Sequence, residues 1–154
     1  SLKNLITHLD FPWRRRLNLT QDGHPSNNGY FTFCFYNHLQ PQSEWFQPFI
    51  VPMLTKLKAA SAIQVRANMH LKELFGEAEI PFHLDYDDLK KFKTAILNFS
   101  DDGGTRLKIN NNKYSINAKE NRLLLMDGNT LHSTIRNDKI SRRYLLNLNY
   151  MSYE

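Results

Sequence analysis

The stretch RLLLMDGNTLHSTI, residues 122–135, contains two short apolar runs separated by the residues DGN. Asp, Gly and Asn favour tight turns because they tolerate backbone conformations that other residues avoid. The flanking runs are rich in leucine and β-branched residues and have the length of typical strands. The stretch therefore predicts two β-strands joined by a tight turn.

The same two-residue period extends in both directions from this stretch, beginning at residue 62. Turn sequences rich in Gly, Asn and Asp separate the runs. The further predicted strands are residues 62–71, 92–99, 105–109, 113–117 and 142–153. Seven or eight short strands with tight turns indicate an antiparallel sandwich or barrel. We expect one domain over residues 1–154, with a β core at 62–154 supported by a mixed helical and strand region at 1–61.

The supporting region has helical patterns at both ends. Leucine and isoleucine recur at helical spacing over residues 2–9, which predicts a short amphipathic helix. A second helix is expected over residues 43–61, with Ser43 as its N-cap. Pro48 and Pro52 must kink or split this helix, because each lacks a backbone donor.

Between these helices, a polar loop is expected at residues 19–29 and an aromatic strand, YFTFCFY, at 30–36. The only cysteine, Cys34, cannot form an internal disulfide and is expected as a small buried hydrophobic residue. A single cysteine favours a reducing compartment, so we expect a cytoplasmic location. No apolar run is long enough to cross a membrane, and no membrane partner is expected.

The chain is basic, with a net charge of +5 and a pI near 9.4. The densest positive points are residues 14–16 and 90–93. Such a balance permits contact with an acidic partner or a nucleic acid, although most such clusters are solvated surface. A nucleic acid is therefore a weakly supported partner.

The tripeptide His-Leu-Asp occurs twice, at residues 8–10 and 83–85. In a strand, residues i and i+2 share one face and can bind one metal ion. In a helix they diverge by about 200°, because one turn takes 3.6 residues. Residues 8–10 end the first predicted helix, so we expect no metal site there, whereas His83 and Asp85 lie in an extended segment among the strands.

A third ligand is needed, and His132 is the best candidate because it begins the strand after the DGN turn. Two histidines and one carboxylate from neighbouring strands form a facial triad that leaves coordination positions open. This donor set suits Fe(II) better than zinc, since no cysteine joins it.

Two arginines begin the last predicted strand, and alternation places them on opposite faces. Arg143 shares a face with Leu145, Asn147 and Asn149, whereas Arg142 belongs to the more apolar face. An arginine facing the site can bind a dicarboxylate through paired hydrogen bonds. Arg143 is the better candidate and Arg142 the alternative.

The ordered set His83-x-Asp85, His132 and an arginine eleven residues later resembles the iron(II)/2-oxoglutarate-dependent dioxygenases. The closer resemblance is to the prolyl 4-hydroxylase-like branch, including small bacteriophage-encoded members. It is supported by VRANMH, TAILNFSDDGGT, NRLLLMDGNTLHS and RRYLLNLNY, and covers roughly residues 62–151.

The resemblance implies a mainly β (α+β) fold, a double-stranded β-helix of the jelly-roll or cupin type with N-terminal helices packed on one side. It implies that Fe(II) binds His83, Asp85 and His132, and that 2-oxoglutarate chelates the iron while its far carboxylate meets Arg143. Molecular oxygen is the other co-substrate. Alternation turns further residues inward, of which Asn98, Asn68 and Thr94 are candidates for contact with the co-substrate, with Ile96 and His70 beside them.

The activity implied is hydroxylation of a C–H bond, with a peptidyl proline as the first candidate substrate. One alternative keeps the chemistry but changes the substrate to a small molecule or a methylated nucleic-acid base. Another is a barrel without catalysis that binds a ligand or partner. The segments expected to shape the substrate entrance, residues 18–29 and 72–81, carry no recognisable code for any of these.

Overall fold

A computed structural model describes residues 1–18, 25–72 and 79–153, with the backbone alone described at residues 17–18 and 25–29. The elements, in chain order, are α1 (Leu2–Thr7), β1 (Arg14–Asn18), β2 (Pro25–Asn37), β3 (Gln40–Pro41), a π-helical turn (Phe46–Ile50), α2 (Val51–Lys56), β4 (Ala59–Leu71), β5 (Lys93–Asn98), β6 (Gly104–Ile109), β7 (Asn112–Asn117), β8 (Leu123–Asp127), β9 (Leu131–Ile135) and β10 (Arg142–Ser152).

Two antiparallel sheets form the molecule. In the described residues, the large sheet runs β1-β2-β4-β10-β5-β8, with the short β3 paired to β2, and the small sheet runs β7-β6-β9. The chain crosses from the large sheet to the small one between β5 and β6, and it crosses again at each connection from β7 to β10, so these strands enclose a shared interior. This is the predicted double-stranded β-helix, and the expectation of a mainly β fold is confirmed.

The observed turns occur at the positions predicted from the sequence. The β6–β7 hairpin turns at Asn110 and Asn111, whose φ angles are 50° and 66°. Positive φ at both central residues is the geometry that matches the twist of two antiparallel strands, and asparagine tolerates it better than most residues. Gly103 has φ 74° in the turn before β6. The strands from β5 to β10 accordingly begin and end within about two residues of their predicted limits.

Two expectations for the N-terminal region were wrong, and one strand was not predicted. Residues 14–18, for which no element was predicted, form β1, and residues 25–29, expected in a loop, form the start of β2. Residues 59–61, expected in the second helix, belong to β4. The loop expected at 19–29 otherwise falls outside the described residues. Hydrogen bonds to neighbouring strands explain the added strand residues, since these segments have weak strand patterns of their own.

The second helix also differs in detail. Its first part is a π-helical turn, in which Val51 N–H donates to the Phe46 carbonyl, and α2 follows. The two prolines divide the helix as expected, because Pro52 has no N–H to donate to residue 48. The N-cap is Trp45 and not Ser43. The Ser43 hydroxyl accepts a hydrogen bond from Trp45 N–H at 3.1 Å.

The helices pack against the outer face of the large sheet, as expected. Leu2 and Ile6 of α1 and Leu54 of α2 are buried there against Val65, Leu146 and other apolar residues of β4 and β10. A second, smaller apolar cluster lies between the sheets and contains Ile96, Leu107, Met126 and Leu145. No helix in the described parts of the chain is long and apolar enough to span a membrane.

Candidate metal centre

His83 and His132 lie side by side because their backbones pair. His83 N–H donates to the His132 carbonyl at 2.9 Å, and His132 N–H donates to the His83 carbonyl at 3.1 Å. Residues directly opposite each other in an antiparallel pair project to the same face. The two imidazole rings accordingly lie with their centroids 4.6 Å apart.

Asp85 completes the cluster, and its two oxygens have different partners. Oδ1 lies 3.6 Å from Nε2 of His83 and 3.3 Å from Nε2 of His132. Oδ2 accepts hydrogen bonds from Nδ2 of Asn147 at 3.2 Å and from Nδ2 of Asn149 at 3.0 Å. Because two amides hold Oδ2, Asp85 presents Oδ1 to the histidines in a fixed orientation.

The protonation of His132 follows from its backbone contact. Its Nδ1 lies 2.9 Å from the Thr130 carbonyl, which can only accept, so Nδ1 carries a proton and Nε2 faces Asp85. Burial by itself would lower the pKa of His132, but the Asp85 carboxylate raises it above the ordinary value. Burial would raise the pKa of Asp85, yet hydrogen bonds from His132 and His83 hold it well below its usual value. This pair loses a proton when a divalent cation binds.

The segment that carries His83 is fastened to the small sheet. The Ser133 hydroxyl donates to the Ile80 carbonyl at 2.5 Å, and Arg106 Nη2 donates to the same carbonyl at 3.2 Å. The Arg106 guanidinium also lies 5.6 Å from the centroid of the Phe82 ring. These contacts hold the residues just before His83 and so determine where its imidazole lies.

The donor set fits a divalent transition metal ion. One ligand atom from each of His83, Asp85 and His132 lies within 4.8 Å of the others. Two neutral imidazoles and one carboxylate suit iron, and three coordination positions remain open in such an arrangement. The lone thiol, Cys34, does not belong to the cluster, so the thiolate sites typical of structural zinc do not apply.

Arg143 lies in the same cavity and is 1% exposed, whereas Arg142 is exposed. Nη1 of Arg143 donates to the Ile135 carbonyl and Nη2 of Arg143 donates to Oδ1 of Asn98, both at 3.1 Å. Nε of Arg143 has no hydrogen-bond partner, and no carboxylate in the described residues forms an ion pair with it. Burial lowers the pKa of Arg143 to about 10, with Asp102 opposing the shift, so the guanidinium is charged at neutral pH.

The other residues expected to face inward lie on the same face of the large sheet. Asn68 lines the cavity, and its Oδ1 accepts from the Thr32 hydroxyl at 3.1 Å. Ile96 lines it as well and links it to the apolar cluster between the sheets. Oδ1 of Asn98 accepts a hydrogen bond from Nη2 of Arg143. Thr94 is fully buried and donates its hydroxyl to Oδ1 of Asn149 at 2.7 Å, and Asn149 in turn holds Asp85.

His70 also lines the cavity, stacked beside Tyr30 with a ring-centroid distance of 4.8 Å. Burial and the nearby charge of Arg143 lower the pKa of His70 to about 3, so its imidazole is neutral at ordinary pH. Burial raises the pKa of the Tyr30 hydroxyl. The two rings place neutral polar groups next to the buried arginine.

Sequence reasoning missed several residues of this site. Arg66 and Tyr30 line the cavity, and Asn147 and Asn149 hold Asp85. A signal was available for Arg66, because it shares the parity of Asn68 on β4. The expectation for Cys34 was wrong: it is half-buried and lies opposite Arg66 on the same face of the sheet, rather than inside the apolar core.

No protein-family model matches the chain, and no curated protein sequence matches it. Several solved structures do match the chain. An oxidoreductase of the 2OG-Fe(II) oxygenase family from Burkholderia pseudomallei superimposes with a TM-score of 0.69 at 10% identity, over 91% of this chain and 73% of that one. A prolyl-4-hydroxylase from Pseudomonas putida gives 0.57 at 14% identity, over 99% and 97%.

These likenesses establish the fold. The same fold is found in a vicilin from Solanum melongena, with a TM-score of 0.52 at 11% identity over 92% of this chain. This chain spans only 29% of the vicilin. Because a vicilin shares the fold with 2OG-Fe(II) oxygenases, function has to be argued from the side chains of the site. None of these comparisons supports the narrower expectation of a bacteriophage-type member.

Proposed function

We propose that this chain is an Fe(II)/2-oxoglutarate-dependent dioxygenase that hydroxylates a C–H bond. The overall reaction converts R–H, O₂ and 2-oxoglutarate into R–OH, succinate and CO₂. Iron, when bound, supplies the activation of oxygen that the side chains lack. The protein's own contribution is to hold the reactants, orient its ligands and keep water away.

One observation carries this proposal: three metal-ligating groups line the same cavity as a buried arginine that forms no ion pair with any described residue. An unpaired buried charge is costly, so its presence calls for an anion that binds there. A dicarboxylate that binds the metal with one end and Arg143 with the other satisfies both features. A barrel that merely binds a neutral ligand needs neither.

Each residue then has a distinct role. His83, Asp85 and His132 bind the metal, and the Thr130 carbonyl fixes the imidazole of His132 in the tautomer that presents Nε2. Arg143 binds the far carboxylate of 2-oxoglutarate through its guanidinium group, of which Nε has no hydrogen-bond partner among the described residues.

The three amide and hydroxyl residues predicted as co-substrate ligands divide by their contacts. Asn98 orients Arg143 through its hydrogen bond. Thr94 acts one step further away, by orienting the Asn149 amide that holds Asp85. Asn68 lines the cavity and is the one of the three placed to contact the co-substrate directly.

The cavity itself is narrow, with a volume of about 60 Å³. A water-sized group takes about 10–15 Å³ on the same measure, so the space holds a few ligand atoms as it stands. Binding of 2-oxoglutarate therefore requires nearby side chains to move apart.

The first candidate substrate is a peptidyl proline. Small molecules and methylated bases are tested alongside it, with succinate release as the common readout. Prolyl peptides, free amino acids and methylated oligonucleotides are each added with Fe(II), 2-oxoglutarate and O₂. The substrate is the class that raises succinate release above the substrate-free rate and changes mass accordingly. A peptide or amino acid gains one oxygen atom, whereas a methylated base loses its methyl group, because the hydroxylated methyl leaves as formaldehyde.

The decisive experiment is anaerobic addition of Fe(II) and 2-oxoglutarate to the purified protein. We expect a weak visible charge-transfer band in the wild type and none in His83→Ala. His8→Ala is the matched control, because it removes the histidine of the other His-Leu-Asp tripeptide. Absence of the band in the wild type, together with absence of succinate release in air, would refute the dioxygenase.

A further inference from the structure

The site-bearing face of the large sheet continues beyond the metal centre toward β1. Strand register places Arg16 opposite Tyr30 and Arg14 opposite Thr32. Register between β2 and β4 then places Cys34 opposite Arg66. Side chains paired in this way project from one face of the sheet. This surface therefore carries three arginines, Arg14, Arg16 and Arg66, which we call the arginine row.

Arg14 and Arg16 of the arginine row border a second cavity, whereas Arg66 lines the cavity of the metal centre. The volume of the second cavity is about 380 Å³, within the range of small-ligand sites. Its lining residues are Arg14, Arg15, Arg16, Thr32, Phe33, Cys34 and Gln42. The Thr32 hydroxyl donates to Asn68, a residue of the metal-centre cavity, so the two cavities share a wall.

The row carries positive charge that the described residues do not neutralise. Within residues 1–18, 25–72 and 79–153, no carboxylate forms a salt bridge with any of the three arginines. Arg66 lines the metal-centre cavity together with Asp85, and its charge helps to lower the pKa of that carboxylate. Arg14 and Arg16 are exposed at the edge of the sheet. Positive charge of this density next to a cavity attracts and orients anions.

We propose that the substrate of this site carries an oxyanion, a carboxylate or a phosphate, which the arginine row binds while the carbon to be oxidised lies at the metal centre. The inference rests on the proposed dioxygenase function and narrows its substrate class. Strands lie about 4.8 Å apart, so β1 and β4 are separated by about 10 Å across the sheet. An oxyanion bound at β1 therefore lies about 10 Å from β4, whose Arg66 lines the metal-centre cavity, and this distance is about three residues of extended peptide.

The test measures binding to the metal-free protein by calorimetry, without 2-oxoglutarate. One probe pair is a prolyl peptide with glutamate three residues before the proline and its glutamine counterpart. The other pair is benzyl phosphate and benzyl alcohol. We expect the anionic member of at least one pair to bind about tenfold more tightly or better, because each arginine contributes a charge-assisted hydrogen bond. Preference within the first pair identifies a peptide carboxylate, and preference within the second a small phosphate ester.

Substitutions connect that preference to the row. The double variant Arg14→Gln/Arg16→Gln should lose most of the preference for the anionic probe without disturbing the fold, since both side chains are exposed. Arg66→Gln should lose the anion preference too. Arg66→Lys should retain part of the anion preference, because the positive charge remains. Arg142→Gln is the matched control, because Arg142 is exposed on the opposite face and carries the same charge.

Three results would overturn the inference. The first is equal affinity for both members of each pair. The second is an anion preference that survives in the double variant or is lost to the same extent in Arg142→Gln. The third is that a single-stranded oligonucleotide binds more tightly than every small probe and loses affinity equally in all arginine variants. That pattern indicates non-specific polyanion binding. Failure here leaves the charge-transfer assay unaffected, so the proposed function is judged separately.

Discussion

The tripeptide His-Leu-Asp appears twice in this chain with opposite surroundings. At residues 8–10 it follows α1; the side chains of His8 and Asp10 are 66% and 93% exposed, and Nδ1 of His8 lies 3.9 Å from Oδ2 of Asp10. At residues 83–85 the two side chains are 18% and 7% exposed and face a third ligand. Identical letters thus give a solvated helix end in one place and a candidate metal centre in the other.

The difference lies in what the rest of the chain brings to each copy. His8 ends α1 with extended backbone, and its Nδ1 accepts from Asp10 N–H at 3.2 Å, so its contacts are local. Asp85 is held by two amides from β10, and His83 pairs with a strand that begins at residue 131. A metal site requires ligands fixed by their neighbours, and only the second copy has them.

The largest effect is expected from removing the carboxylate at each copy in turn. Asp85→Ala should lower 2-oxoglutarate-dependent succinate release by more than about 100-fold, because loss of a ligand exceeds the effect of losing its supporting contacts. Asp10→Ala should leave the rate unchanged. Steady-state assays with titrated Fe(II) make the comparison, and similar losses in the two variants would contradict the assignment.

The next effect concerns the arginine beside the second copy. Arg143→Ala should weaken 2-oxoglutarate binding at least about 30-fold, because truncating one member of a buried, hydrogen-bonded charge pair costs about 2 kcal/mol or more. Arg142→Ala should change it little, since that side chain is exposed on the opposite face. The dissociation constant for 2-oxoglutarate is measured with Mn(II) in place of iron. Equal effects would mean that alternation along β10 does not decide the contact.

A smaller effect is expected from the amides that only the second copy possesses. Asn149→Ala should lower metal affinity about 10-fold to 100-fold, because it removes one of the two amides that hold Oδ2 of Asp85 and also removes the partner of Thr94. Thr94→Val, one contact further away, should have a weaker effect in the same direction. Asn112→Ala, at an exposed position in β7, serves as the control. Competition with a coloured chelator measures the affinities.

The buried imidazole beside the site predicts a pH effect on stability. The pKa of His70 in the folded protein is about 3, below the ordinary value of 6.5. Between these values the unfolded chain binds one more proton than the folded one, so stability falls as pH decreases through that window, by up to about 1.4 kcal/mol per pH unit. His70→Gln should show a shallower fall in urea unfolding between pH 6.5 and 4. Parallel curves would place His70 in a more solvated environment.

The smallest effect is expected at the first copy. His8→Ala should shift Tm by less than about 2 °C, because the side chain is mostly exposed and makes only local contacts. Thermal unfolding followed by circular dichroism checks this. A larger shift would show that residues 8–10 support the packing of α1 on the sheet.

Much of this molecule is readable from local pattern. The two-residue period predicts the strands from β4 to β10, and turn residues predict where most of them end. Alternation separates Arg143 from Arg142 and turns Asn68, Thr94 and Asn98 toward the site. These properties depend on a side chain's parity in its own strand, which is a local geometric fact.

Other features depend on neighbours distant in sequence. The segments at residues 14–18 and 25–29 contain arginine, proline, asparagine and glycine, which have weak strand preference. Residues 14–16 become a strand because they pair with residues 30–32 of the aromatic run, and Asn18 pairs with Pro25. The same holds at residues 59–61, where pairing with the end of β10 replaces the expected helix. Backbone hydrogen bonds to adjacent strands decided these segments.

The sequence by itself determined which residues were able to form a metal site: an ordered set of two histidines, an aspartate and an arginine, with the right parity in strands. Only the tertiary structure decided that His83 pairs with His132, that Asn147 and Asn149 hold Asp85, and that the arginine row lies next to the metal centre. The physical reason is that parity is set within a strand, whereas strand order and register are set by packing and by pairing between distant segments.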